Sequence, residues 1–123
     1  VDPRGEWLDK LPEHHKLTKI QTESMKDVVA TLHPNTFIAS MTMGHAFDVP
    51  VLVEAMKRDV FPYIGVIGSE QKASVIRADL KKNGISEEQI QKLHCPIGEP
   101  FGNNTPTEIA LSIAAQLIKV RDR

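Results

Sequence analysis

The apolar positions of this chain change period several times. Thr36–Thr42 (TFIASMT) and Tyr63–Ile67 (YIGVI) are nearly continuous apolar runs of strand length, as strands covered on both faces require. Between them, Val51, Leu52, Ala55 and Met56 recur at helical spacing across Asp48–Arg58. A second helical stretch runs from Ser69 to about Lys82, with Gly84 as its stop. Ser24–Leu32 places Met25, Val28, Val29 and Leu32 on one helical face and ends ahead of Pro34. Ser86–Leu93 opens on a capping box, Ser86 capping while Gln89 reaches back. Thr105-Pro106-Thr107-Glu108 is a further helix start, with Thr105 as cap and Pro106 at the first helical position. That helix continues to about Val120, with Ile109, Ile113, Leu117 and Val120 on one face. Lys16–Gln21 and Cys95–Ile97 read as short strands, and Glu6–His15 as a loop or irregular helix. Alternating strands and helices predict an α/β fold, a parallel sheet covered on both sides in the doubly wound manner.

Composition narrows the class of molecule. With 123 residues the chain is one domain or part of one, long enough for a core. Fifteen basic residues against sixteen acidic ones leave a net charge of −1, so no electrostatic footprint for nucleic acid is written in the composition. No apolar stretch approaches the roughly 18 residues of a membrane span. The single Cys95 has no partner within the chain and fits a reducing, cytoplasmic compartment.

In a doubly wound sheet, ligands bind beyond the carboxyl ends of the strands. Three loops are expected there: Met43–Asp48 with Gly44, His45 and Asp48; Gly68–Lys72 with Ser69; and Gly98–Thr105 with Gly102, Asn103 and Asn104. The second has a strand, a Gly68-Ser69 turn and a helix start. Unpartnered N–H groups and the helix dipole make such a corner suited to an anion, and Lys72 is placed to add a full charge. Each loop can equally be ordinary turn chemistry; all three together point to a phosphate-bearing ligand. His45 and Asp48 could act as a general base and its orienting partner, or Asp48 could only cap its helix.

The same stretches resemble one family. MTMGHAFD, YIGVIGSEQK and PIGEPFGNNTPTEIALSIAAQLI follow, in order and spacing, the carboxy-terminal domain of the xanthine dehydrogenase accessory proteins (the XdhC/CoxI type). That family looks like T-H-x-H-x-x-D after one strand, Y-I-G-x-x-G-S after the next, and P-I-G-x-x-I-G-x-x-T-P-x-E-I-A-x-S-I-A-A near its end. Met43 stands where the family has its first histidine, and Glu99 and Phe101 stand where it has aliphatic residues. The resemblance covers the chain from about Thr36 onward. Val1-Asp2-Pro3-Arg4 is similar to the end of the domain's second Rossmann strand.

The resemblance implies a chaperone that binds molybdenum cofactor (molybdopterin or its dinucleotide), aids its sulfuration and passes it to a molybdenum hydroxylase apoenzyme, handling a cofactor rather than turning over a substrate. It also implies a Rossmann-like domain entered at its second strand, with the first strand and the glycine-rich turn outside the sequence. Asp2 would then sit where an acidic residue bonds a ribose hydroxyl. The open sheet would be completed by an upstream fragment or by exchange with a second copy in a dimer. An NAD(P)-dependent oxidoreductase and a nucleotide-sensing regulatory module are the alternatives from other classes.

The remaining residues have structural readings. His14-His15 are adjacent in a polar loop without further ligands nearby, which does not make a metal site. Cys95 reads as a buried core thiol, with a sulfur carrier or nucleophile as the alternative. Trp7 reads as an anchor for the loop that follows Asp2-Pro3.

Overall fold

The computed structural model describes all of residues 1–123. In chain order the elements are α1 (Gly5–Leu8), α2 (Met25–Val29), β1 (Phe37–Ser40), α3 (His45–Arg58), β2 (Tyr63–Val66), α4 (Glu70–Lys82), α5 (Glu87–Gln91) and α6 (Pro106–Arg121). β1 and β2 are parallel neighbours in register Phe37 to Tyr63 and Ser40 to Val66, as the two apolar runs predict. On the far side of β2, His94 N–H donates to Ile64 O (2.9 Å), Val66 N–H to His94 O (3.0 Å) and Ile97 N–H to Val66 O (2.9 Å). This is the short strand-like segment expected near Cys95–Ile97, and it contains a cis Cys95–Pro96 bond. A separate parallel bridge joins Asp2 to Gln21.

Side-chain alternation sends Ile64 and Val66 to one face of the sheet and Tyr63 and Gly65 to the other. On the first face, Leu52 and Met56 of α3 and Ala73, Ile76 and Leu80 of α4 close over Val66 together with Ile85, Ile90 and Leu93. Met25, Val29, Val51, Ala55 and Phe61 extend that core toward α2. Arg58 fastens α2 to α3: its guanidinium donates to Val29 O (2.9 Å) and Leu32 O (2.7 Å), satisfying carbonyls at the end of a short helix.

Several sequence expectations are corrected. The stretch Lys16–Gln21 is loop except for Gln21 in its bridge, since its only apolar residues are Leu17, itself 39% exposed, and Ile20. The helix expected over Ser24–Leu32 closes at Val29, and Ala30–Leu32 turn ahead of Pro34. α3 begins at His45, three residues before Asp48, so Asp48 lies inside the first turns and is not the cap. Ser86 caps α5 by accepting from Gln89 N–H, but the Gln89 side chain donates instead to Met56 O at 3.0 Å. Trp7 anchors nothing in the core: it is half exposed, with Lys10 and Arg4 over its ring. The apolar stripe of α6 is only half buried at Ile109, Ile113, Leu117 and Val120, and Ser112 is the one buried residue of that helix.

Candidate functional site

A buried carboxylate ties the carboxyl end of β1 to the first turn of α4. Asp48 is fully buried, and its Oδ1 accepts from Ser40 Oγ (2.7 Å), Thr42 Oγ1 (2.7 Å) and Thr42 N–H (3.3 Å). Its Oδ2 has no hydrogen-bond partner and faces Lys72 Nζ at 3.5 Å. Lys72, expected to stand ready for an anion, is therefore directed back at Asp48 and ties the first turns of α3 and α4 together. His45 is exposed at the first position of α3 and makes no bond to Asp48, so the suggested base and orienting partner do not form a pair. Gly44 has extended backbone with open space where a Cβ would project.

The Gly68-Ser69 turn is built as the sequence indicates. Ser69 caps α4, its side chain accepting from Lys72 N–H at 3.2 Å. A Cβ on Gly68, whose φ is +156°, would lie 2.8 Å from Lys72 Cδ. Thr105 caps α6 in the same way, accepting from Glu108 N–H, with Pro106 in the first turn.

The second and third loops enclose a cavity of about 370 Å³. Ile67, Gly68 and Glu70 form one wall; Gly98, Glu99, Phe101, Gly102 and Asn104 form the other, with Ser112 of α6 behind them. Gly98, Gly102 and Asn104 all have positive φ, which lets the loop fold back over the start of α6. α4 borders this space with its first residue, Glu70, and α6 with Ile109 and Ser112, beyond its capped first turn, so the helix-terminal N–H groups beside it are those of α4. Of the sequence candidates, Gly68, Gly98 and Gly102 line the cavity; Gly44, His45, Asp48, Ser69, Lys72 and Thr105 do not. Asp2 lies elsewhere, in a cleft beside β1, and its carboxylate is held by Arg4 through Nε (2.9 Å) and Nη2 (3.0 Å), which keeps it below the usual carboxylate range.

Four residues that shape this site went unrecognised in the sequence. Gln116 Oε1 accepts from Gly98 N–H (2.9 Å) and from the Tyr63 hydroxyl (2.6 Å), while its Nε2 donates to Gly98 O (3.1 Å). Glu99 pairs with Lys119 at 2.7 Å, and the Ser112 hydroxyl packs against Gly98. Helical spacing puts Ser112 and Gln116 on one face of α6, at i and i+4, but nothing local says what they reach. Burial, with Glu99 adding to it, pushes the Tyr63 phenol up to about 12. Cys95 is buried among the core residues, and burial pushes its thiol up, which makes it an unreactive packing residue. His14 and His15 stack on each other at 4.4 Å, and nowhere do three His, Cys, Asp or Glu residues converge in a manner that could hold a metal ion.

With this geometry in view, the comparisons with known proteins are decisive about kinship. The family described as the XdhC Rossmann domain matches residues 1–117. The chain belongs to that family. It is 28% identical over 117 aligned residues to the uncharacterized protein YqeB of Escherichia coli K12, covering 75% of this chain and 21% of YqeB. It is also similar to a crystal structure from Bacillus halodurans described as a xanthine dehydrogenase, at 27% identity and a TM-score of 0.66, covering 85% of this chain and 29% of that one. The chain thus spans under a third of either relative's length. The Rossmann-like α/β fold expected from the alternating pattern is the fold of the family, and no helix is long and apolar enough to cross a membrane.

Proposed function

We propose that this domain binds a phosphate-bearing cofactor at the carboxyl edge of its sheet, and that in this XdhC-type setting the cofactor is molybdopterin or its dinucleotide, held for delivery to a xanthine-dehydrogenase-type apoenzyme in the cytoplasm. The observation that carries the reading is the cavity between Gly68 and the Gly98–Gly102 loop, bordered by the first residue of α4 and by Ile109 and Ser112 of α6. Backbone N–H groups at the start of α4 can take phosphate oxygens, and the glycines let a ligand approach the main chain. When bound, the cofactor would supply the molybdenum and its sulfur chemistry; this chain's residues would bind and orient it. Cys95 is buried with a raised thiol pKa, so the sulfur for sulfuration would come from a donor outside this chain.

The oxidoreductase alternative gains nothing from the geometry. It needs a catalytic constellation, and His45 and Asp48 share no hydrogen bond. It also needs a carboxylate free for a ribose, whereas Asp2 is engaged by Arg4.

Binding of released molybdenum cofactor and of NADH to the same protein, measured anaerobically by fluorescence titration, tests the proposal. The cofactor is expected to bind, and Gly68→Val, strained at that φ and against Lys72, to lower the melting temperature while weakening binding by about tenfold or more beyond what that loss of stability accounts for. Binding of NADH that equals or exceeds that of the cofactor would sink the reading. Equal losses of stability and affinity in Gly68→Val would reduce the turn to a plain strand-to-helix connection.

A further inference from the structure

The cavity of about 370 Å³ holds no cation of its own. Two acidic residues line it, Glu70 and Glu99, and no Lys, Arg or His. Glu99 is spent on Lys119 at 2.7 Å, but Glu70 lies exposed in the first turn of α4 without an ion pair. A phosphate there would meet neutral N–H groups beside an unpaired carboxylate. It needs a positive charge that can move in.

Lys72 has the position to supply it. Its main-chain N–H is fixed by Ser69 Oγ at 3.2 Å, and its stem lies across Gly68, a residue of the cavity wall. Its ammonium is aimed the other way, at Asp48 Oδ2, 3.5 Å off. That oxygen is buried without a hydrogen-bond partner, because Ser40 and Thr42 bond only to Oδ1. A lysine in the first turn of a helix faces the positive end of the dipole and is unfavourable unless an anion stands by. In the free protein that anion is Asp48. The two partners are held unequally: Asp48 Oδ1 accepts three bonds, while the Lys72 side chain is 26% exposed and can turn about its flexible stem.

Resting on the proposal that a phosphate-bearing ligand binds beside Gly68, we infer that Asp48 is an internal competitor for Lys72. Without ligand, the carboxylate holds the ammonium off the cavity. A phosphate group that reaches the Gly68 corner takes the ammonium over, and Asp48 gives up its counter-charge. Affinity is then set by the difference between two ion pairs. A ligand with a single charge, such as a carboxylate, returns no more than Asp48 already gives; a phosphate monoester or diphosphate, with two or more charges, does. Asp48 therefore selects for charge density and keeps the corner closed to common monoanions. The latch also weakens apparent affinity: an unlatched population of about one in ten raises Kd about tenfold.

Pyrophosphate and acetate titrated into the 123-residue chain, with the Lys72 side-chain resonances followed by NMR, test this. Pyrophosphate is expected to shift the Lys72 Cε–Hε signal, and acetate to leave it in place. Asp48→Asn should tighten pyrophosphate about tenfold and admit acetate, and the same change in a Lys72→Met background should alter the affinity by less than about twofold. Thermal unfolding checks that each variant is folded at the titration temperature; should Asp48→Asn not fold, the wild-type Lys72 signal decides alone. An unchanged affinity in Asp48→Asn, or equal tightening in the Lys72→Met background, would make Asp48 a plain structural or repulsive charge and overturn the inference. Pyrophosphate binding with the Lys72 signal unmoved overturns it too, and leaves the ligand reading intact. If neither the wild type nor Asp48→Asn binds pyrophosphate, the ligand reading falls and the inference falls with it.

Discussion

The Tyr63 hydroxyl donates to Gln116 Oε1 at 2.6 Å, and that bond connects the floor of the sheet to the loop that walls the cavity. Tyr63 lies at the start of β2 with its ring running along the strand over Gly65, and Gln116 grips both main-chain groups of Gly98 from α6. A strand residue thus sets the position of a loop more than thirty residues away through one amide side chain.

Gln116→Leu should destabilise the protein by about 2–4 kcal/mol, because it leaves the Gly98 N–H and C=O and the Tyr63 hydroxyl without their partner. Gln116→Glu keeps the acceptor for Tyr63 and Gly98 N–H, and at a pH low enough to protonate the new carboxyl it can also donate to Gly98 O, so there it should cost less than half as much. Urea unfolding of the two variants gives the comparison; equal costs would show that the acceptor oxygen is not what matters.

Alkaline titration should expose Tyr63 itself. Its phenol is held neutral in the folded protein up to about 12 against an ordinary value of 10, chiefly by burial. Between those values the unfolded chain loses a proton that the folded protein keeps, so stability is intact below pH 10 and falls as pH rises toward 12. The full interval corresponds to roughly 2–3 kcal/mol as an upper bound. Tyr63→Phe should flatten this part of the stability profile while lowering stability at neutral pH through the lost bond to Gln116. A profile unchanged by Tyr63→Phe would place the alkaline transition elsewhere.

Periodicity exposed the frame of the molecule and stopped short of its site. β1, β2, α4 and the caps at Ser69, Ser86 and Thr105 are local features, each set by a run of apolar residues or by one hydroxyl that accepts from the backbone N–H three positions on. The strand at Lys16–Gln21 was overread because two apolar residues cannot distinguish a strand from a loop that touches one at a single bridge. At the site, Lys72 and His45 were given roles from their loops alone. What decides them is a contact across the fold, Lys72 with the buried Asp48, and the absence of one for His45. Gln116 was invisible for the same reason: its partners lie 18 and 53 residues away.

Gly65→Ala tests how tightly Tyr63 is held. A Cβ at that position would come within 2.7 Å of the Tyr63 hydroxyl oxygen and 2.8 Å of Ile97 Cγ1, and the Tyr63 hydroxyl is held in place by its bond to Gln116 of α6. The substitution should cost about 1–3 kcal/mol through overpacking, although alanine has the better strand backbone. The near-ultraviolet circular dichroism of the single tyrosine should change with it; an unchanged spectrum and full stability would mean that the ring can swing aside.

Asp48 and Lys72 form the one ion pair of the site with a fully buried member, and its two halves are not equivalent. Asp48→Ala removes the acceptor of Ser40, of the Thr42 hydroxyl and of Thr42 N–H, and should cost about 3–5 kcal/mol, the range for breaking a buried charge pair. Lys72→Met keeps that network on Oδ1 and strips only the cation from Oδ2, while its methylene stem still covers the turn, so about 1–3 kcal/mol is expected. Combining Lys72→Met with Asp48→Asn removes both charges and leaves an amide whose Oδ1 can still serve Ser40 and Thr42. The double variant should therefore be more stable than the summed losses of Lys72→Met alone and Asp48→Asn alone predict, by about 1–2 kcal/mol. Additive losses in this double-mutant cycle, followed by chemical denaturation, would show that the 3.5 Å approach is proximity without coupling, and that Lys72 is free to turn toward a ligand at the Gly68 corner.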